Sequence, residues 1–407
     1  MVAVAVMLAA GAGVAEEKVE WRQGDFAGML YRQLAKGDGN LAFSPYGVAS
    51  VCSLVGTGAK GGTAEAFKNT LGLSTDDPDE IARIFREVKL RLGNAVEIFD
   101  SVWLFRDFEP RDEFRARAVD GFLAEVRKVS CGDAAMGEIN ACVRDKTHGR
   151  MPRLIQAPPG PLTRMMAVNT VYLNAKWARR FDKRMTREQE FETPLRRVLV
   201  PFMRGTLRAT YHQERQFSAI SLPYAGSTLE MVLVLPDKDV ALRQVEEMIS
   251  EPFIDRVVRN DMFKPLPGMS AEEVRRRRNF YRKSARCKVE VEIPRFEFKM
   301  RHGLVGPLCE MGLGVAFSDM ADFSRLAEVK PGDLYVSDAE QVVKIKVDEE
   351  GTEAAAATYT EVRAECAGMR LPPPLPQFIA DHPFVFVLWD GASGAILFMG
   401  RVTDPAE

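Results

Sequence analysis

Apolar residues recur at every third or fourth position through the first quarter of the chain. Further on they alternate with polar residues or run unbroken. The first spacing lines one stripe of a helix and the second lines one or both faces of a strand. Helices are therefore expected over Trp21–Leu34, from the Ser44–Pro45 cap, over a segment capped by Thr63, and over 78–93. Ser at a cap and Pro in the first turn suit the start of a helix, because one accepts an orphan amide and the other lacks one.

Strands are expected at 96–105, around 122–129, over the apolar run 165–181, and at 198–203, 219–223, 229–235, 289–298 and 342–347. Two more, HPFVFVLW and AILFMGRV, flank the turn GASG. Helical patterns at 137–155, 240–258 and 304–313 complete the reading. Asn169 stands alone in an apolar run, so if buried it must be hydrogen-bonded. Without regular βα alternation or internal repeats, the pattern reads as one α+β unit with large mixed sheets.

One stretch resists this reading. Over Glu349–Glu365, EEGTEAAAATYTEVRAE, Thr352, Ala354, Ala356, Thr358, Thr360 and Val362 fall on one side and carry no charge. Glu353, Ala355, Ala357, Tyr359, Glu361 and Arg363 fall on the other. The alternation is that of a half-buried strand, yet the four central alanines are poor strand formers and good helix formers. An exposed helical turn in a surface loop fits the same residues.

The chain has 407 residues, 46% of them hydrophobic, enough to bury a large core, and its net charge of −2 gives no reason to expect nucleic-acid binding. Residues 1–15 are uncharged and apolar and read as a secretory signal, too short to span a bilayer, with residues 16–407 as the mature domain. Secretion is the expectation; the absence of an Asn-x-Ser/Thr sequon leaves a cytoplasmic location as the alternative. Cys52, Cys131, Cys142, Cys287, Cys309 and Cys366 lack the spacing of a disulfide framework or a zinc site.

Catalytic signatures are missing. The four histidines, His148, His212, His302 and His382, are widely separated, and HExxH, GxSxG, a P-loop and GxGxxG do not occur. No catalytic residue, metal or obligate cofactor is expected. Two basic features stand out: Arg83, Arg86 and Lys89, which share a helix face, and an insertion at 264–288 containing Arg275, Arg276, Arg277 and Arg278. Either could hold a polyanion such as a glycosaminoglycan or heparin; a solvated surface is the commoner reason for such a face or insertion.

Several segments together resemble the serpin family of protease inhibitors: NLAFSPYGVASV with GAKGGT, DKTHGRMPRLI, VNTVYLNAKWARRFD, IPRFEF, MGLGVAFSDMADFS, LYVSDAEQVVKIKVDEEGTEAAAAT, and ADHPFVFVLW with AILFMGRVTDP. The resemblance implies an α+β serpin fold with three β-sheets, about nine helices and an exposed reactive-centre loop at about 349–376. It also implies a monomeric inhibitor whose partner is a serine or cysteine protease. Such an inhibitor is a suicide substrate: it traps the acyl-enzyme as its cleaved loop enters the main sheet.

By the same resemblance Glu349, Glu350, Gly351, Thr352, Glu353, Ala354, Ala355, Ala356, Ala357 and Thr358 form the hinge. Ser44, Asn169 and Gln341 lie in the sheet-opening region, where Gln341 replaces the usual His and Gly47 a common Ser. The reactive bond is placed at Glu365–Cys366, similar to the loop of granzyme-B-inhibiting serpins, and Arg363 and Arg370 are alternatives that would bait trypsin-like proteases. A non-inhibitory binding serpin is the remaining alternative.

Overall fold

A computed structural model describes residues 23–151, 153–259, 270, 272, 286–352 and 375–407. The sequence expectations for residues 1–15, for Arg275–Arg278, for Glu353–Thr358, and for Arg363, Glu365, Cys366 and Arg370 lie outside the described residues.

The architecture is built on a five-stranded sheet whose order is Phe296–Gly303, Val336–Val347, Met165–Leu173, Val96–Phe105 and Glu125–Val129. Its middle pair, Val336–Val347 and Met165–Leu173, runs parallel, whereas each of these strands is antiparallel to its other neighbour. Every residue of Met165–Leu173 is buried, as an apolar run covered on both faces requires. Met166, Val168 and Tyr172 pack with the helix Asp133–Lys146 in a small core that also takes in Val342. Met165, Ala167, Val171 and Leu173 point the other way, into the main core.

On that second face lies the helix Pro45–Thr57, buried along almost its whole length. The Ser44 side chain caps it by accepting from the Gly47 amide at 3.0 Å, and Pro45 fills the first turn. The helix Pro78–Leu92 is started in the same way by Asp77 and Pro78. A nine-stranded sheet closes the far side, with the fully buried strands Phe384–Asp390 and Ile396–Val402 paired as expected across the GASG turn.

The structure corrects several boundaries. The strand expected at 342–347 begins at Val336, because polar residues in its first half are satisfied inside the fold rather than by solvent. Thr63 lies within the helix Gly61–Leu71, whose cap is Lys60, and its hydroxyl instead accepts from the Asp322 amide at 3.0 Å. The 240–258 pattern is two helices, Leu242–Met248 and Glu251–Arg259. The 165–181 run is a long strand followed by the short Ala175–Lys176.

Candidate functional site

The parallel seam at the middle of the five-stranded sheet is closed by side chains as well as backbone. Gln341 and Asn169 face each other across it, and Gln341 Nε2 donates to Asn169 Oδ1 at 2.7 Å. The same Nε2 reaches the Ser44 carbonyl at 2.9 Å, and Gln341 Oε1 accepts from the Ser44 amide at 2.8 Å. Asn169 Nδ2 in turn donates to Asp100 Oδ1 at 2.7 Å. The other Asp100 oxygen accepts from Ser50 Oγ at 2.5 Å and Lys89 Nζ at 2.6 Å.

These groups are all buried, with Asp100, Asn169, Gln341, Ser44 and Ser50 at 0% exposure and Lys89 at 8%. In a medium that cannot solvate them, each needs its partner. Gly47 leaves the room they use: a Cβ there would stand 2.3 Å from Asn169 Oδ1 and 2.7 Å from Val171 Cγ2. The departures at Gly47 and Gln341 thus fit together, since the amide of Asn169 fills the space above the glycine.

Ser44, Asn169 and Gln341 are therefore brought together, and the network extends to residues the sequence reading missed. Asp100 carried a signal, being a carboxylate at the centre of VEIFDSVWLF, with apolar residues closely on both sides. Lys89 is a correction: it does not belong to an exposed basic face with Arg83 and Arg86, because its ammonium is turned inward to Asp100 and the Phe122 carbonyl, 2.7 Å away. Arg83 and Arg86 are exposed, and Arg83 pairs with Glu87 at 3.1 Å.

At the end of the seam the chain leaves Val347, turns through Asp348–Glu350, and starts back. Gly351 is bonded to Asp348 in both directions, at 3.0 and 3.3 Å, and is also registered antiparallel with Lys176; Thr352 is registered with Ala175. It sits between the continuations of the two parallel strands. Its φ of +141° and the approach of the Ala175 carbonyl, 2.3 Å from where a Cβ would be, admit glycine alone without displacement.

The turn is held firmly. Trp177, stacked on Tyr224 with ring centroids 4.5 Å apart, donates Nε1–H to the Asp348 carbonyl at 2.8 Å and its amide to the Glu350 carbonyl at 3.1 Å. Glu350 pairs with Arg180 and Lys183, each at 3.0 Å. Glu349, 2% exposed, is bound by Arg295 and Thr186. Burial pushes its carboxyl up, but the Arg295 and Thr186 hydrogen bonds outweigh burial and hold it below the ordinary glutamate value.

A carboxyl lowered in the folded state stabilises above its unfolded value near 4.5, and that contribution is lost as pH falls through the folded value. Thermal unfolding followed from pH 7 to pH 3 is therefore expected to show a fall in midpoint below about pH 4.5 that is shallower in Glu349→Gln.

The described residues offer little else that could do chemistry. They contain no cluster of His, Cys, Asp and Glu able to hold a metal ion. His212 and His302 are hydrogen-bonded to the Val257 and Ala42 carbonyls, and burial lowers both. Cys52 is pushed up to about 12, first by burial and then by Asp100, so it is no nucleophile.

A family model described as serpin (serine protease inhibitor) matches residues 22–405. The chain belongs to the serpin family. Over 387 residues this serpin is 32% identical to an uncharacterised serpin-like protein of Thermococcus kodakarensis, covering 93% of this chain and 84% of the relative. It is also 32% identical over 401 residues to serpin B6 of Macaca fascicularis, covering 94% of this chain and 98% of that one. The crystal structure of a thermophilic serpin, tengpin, in its native state matches with a TM-score of 0.80 over 96% of this chain and 95% of that one. At 22% identity that likeness shows the fold alone. The α+β serpin fold expected from the sequence is thus the fold observed.

Proposed function

We propose that this serpin inhibits serine proteases as a suicide substrate, its cleaved loop entering the parallel seam as a new antiparallel strand. The observation that carries this reading is the placement of Gly351, which already pairs with Asp348, one residue beyond the strand Val336–Val347, on one side and with the strand Ala175–Lys176 on the other. Extending its pairing with Asp348 residue by residue brings Thr358 opposite Gln341. Extending its pairing with Lys176 brings Thr358 opposite Asn169. Gln341 and Asn169 are themselves partners across the seam, so the two extensions agree.

In that register Ala354 meets Ile345 and Leu173, and Ala356 meets Val343 and Val171; all four partners belong to the main core. The uncharged side of the loop would face apolar side chains. The charged side would face the helix Asp133–Lys146, with Glu353 opposite Lys346. The contradiction between alternation and alanine content disappears for a segment that is exposed bait first and a strand later.

Entry requires the seam to widen by about 4.8 Å, one strand spacing. The Gln341–Asn169 bond and the small core bridging Val342 and Val168 must yield first. In exchange the parallel pairing becomes two antiparallel ones, which are slightly more stable per residue. The serpin supplies no catalytic group; it must carry the acyl-enzyme away before water hydrolyses it.

Glu365–Cys366 is taken as the reactive bond, which calls for a protease with a basic primary pocket. The test is incubation with acidic-specific and trypsin-like serine proteases. A denaturant-resistant covalent complex and cleavage after Glu365 are expected with the former. Complex formation only with trypsin-like enzymes, with cleavage after Arg363 or Arg370, would overturn the target class. Cleavage by every enzyme without any complex would overturn inhibition and leave a binding serpin.

A further inference from the structure

The hydrogen bonds that close the seam have a direction, and that direction is set away from the seam. Asp100 is a carboxylate and can only accept. Its Oδ1 therefore faces the amide nitrogen of Asn169, which turns the Asn169 oxygen toward the seam. That oxygen needs a donor, so Gln341 must offer Nε2, and the same orientation presents Oε1 to the Ser44 amide. A backbone N–H can only donate. The string runs from a fixed acceptor at Asp100 to a fixed donor at Ser44, and both amides between them have one permitted orientation.

Lys89 completes the arrangement. Asp100 is fully buried, and Lys89 from the helix Pro78–Leu92 supplies the compensating charge while bonding the Phe122 carbonyl. An amide at position 100 would fill the same space. It would not fix the direction, because it can donate as well as accept. We infer that the buried Lys89–Asp100 pair is the positioning element of the seam: it orients Asn169 and, through it, Gln341, and so sets how fast the sheet admits a strand. The inference rests on the insertion proposed above and extends it to a helix packed against the neighbouring strand Val96–Phe105.

Asp100→Asn makes the distinction. With Lys89 retained, the new amide turns its oxygen to the ammonium and its nitrogen to Asn169. Asn169 must then reverse and present its nitrogen to Gln341, and Gln341 cannot reverse without setting Nε2 against the Ser44 amide. The latch is lost although every atom position is kept. Asp100→Asn/Asn169→Asp restores it, since the acceptor-only group now stands at 169 and takes donors from both sides.

The probe is a synthetic peptide of residues 352–362, whose annealing into the intact serpin is followed by native electrophoresis, with thermal unfolding as a control for fold. Asp100→Asn is expected to anneal faster than the parent by roughly tenfold, the change that loss of one buried hydrogen bond corresponds to. The exchanged double variant is expected to return to the parent rate. Should the lone Lys89 prevent Asp100→Asn from folding, Gln341→Glu tests the same string from the other end: glutamate cannot donate to Asn169, and faster annealing is again expected. Equal rates in parent and folded variants, or an exchanged variant as fast as Asp100→Asn, would overturn the inference while leaving insertion intact. A parent that takes up no peptide would overturn both.

Discussion

Ala354→Arg is expected to turn the inhibitor into a substrate. Under the proposed insertion, position 354 would arrive between Ile345 and Leu173, both fully buried. An arginine there would lose its hydration with no carboxylate opposite, and an unpaired buried charge costs several kcal/mol, about 3–5 when measured by removing one partner of a pair. Each 1.4 kcal/mol added to the insertion barrier slows that step about tenfold, whereas hydrolysis of the acyl-enzyme proceeds at its own rate. The variant should be cleaved as readily as the parent, because the loop is still bait, and yield free active protease instead of a complex. Ala354→Val supplies the control, since a β-branched apolar residue suits a buried strand. Gel analysis under denaturing conditions separates the outcomes, and undiminished complex with Ala354→Arg would show that position 354 does not enter the core.

Gly351→Val is expected to damage both the native stem and insertion. The backbone at 351 occupies a conformation that a β-branched residue avoids, a strain of roughly 1–3 kcal/mol. The added Cβ would also fall 2.3 Å from the Ala175 carbonyl and 2.5 Å from Lys176 Cα. Those are backbone atoms of a strand flanked by the Trp177–Tyr224 stack, so relief must come from Gly351 leaving its place. The bonds to Asp348 and the pairing with Lys176 go with it. The melting midpoint of the intact protein should fall by several degrees, on the order of 2–4 °C per kcal/mol or somewhat less for a chain of this size. Complex formation should decline as well, because the first rung of the incoming strand is missing. An unchanged midpoint together with unchanged trapping would mean that the rung has no part in either state.

How much of this was written in the sequence depended on whether each residue's partners were local. Met165–Leu173 was legible because an unbroken apolar run has few other uses, and Ser44–Pro45 because a cap and a first-turn proline act within one turn of chain. The first half of Val336–Val347 was not. Glu340 and Gln341 look like surface residues until Arg301 from the neighbouring strand and Asn169 across the seam are in place. Lys89 misled for the same reason. Its spacing from Arg83 and Arg86 describes one helix, while its burial depends on Asp100 in a strand packed beside that helix.

The stem tells a similar story from the opposite side. Glu349 and Glu350 begin a stretch that reads as polar loop, yet both are buried against Arg295, Arg180 and Lys183, residues distant in the chain. Gly351 was placed in a hinge by the resemblance, and its type suits one. What neither could reveal was that it already occupies the first position of a strand, paired with Lys176.

The most direct test is the stability of the cleaved protein. A catalytic amount of a broad-specificity protease would be used to nick the loop, the cut located by mass spectrometry between residues 359 and 374, and the nicked and intact forms compared by thermal unfolding. The proposed insertion would add a central strand with partners on both sides, so the nicked form should melt well above the intact one, with the two transitions fully separated. Nicked protein that melts at or below the temperature of the intact form would contradict the account.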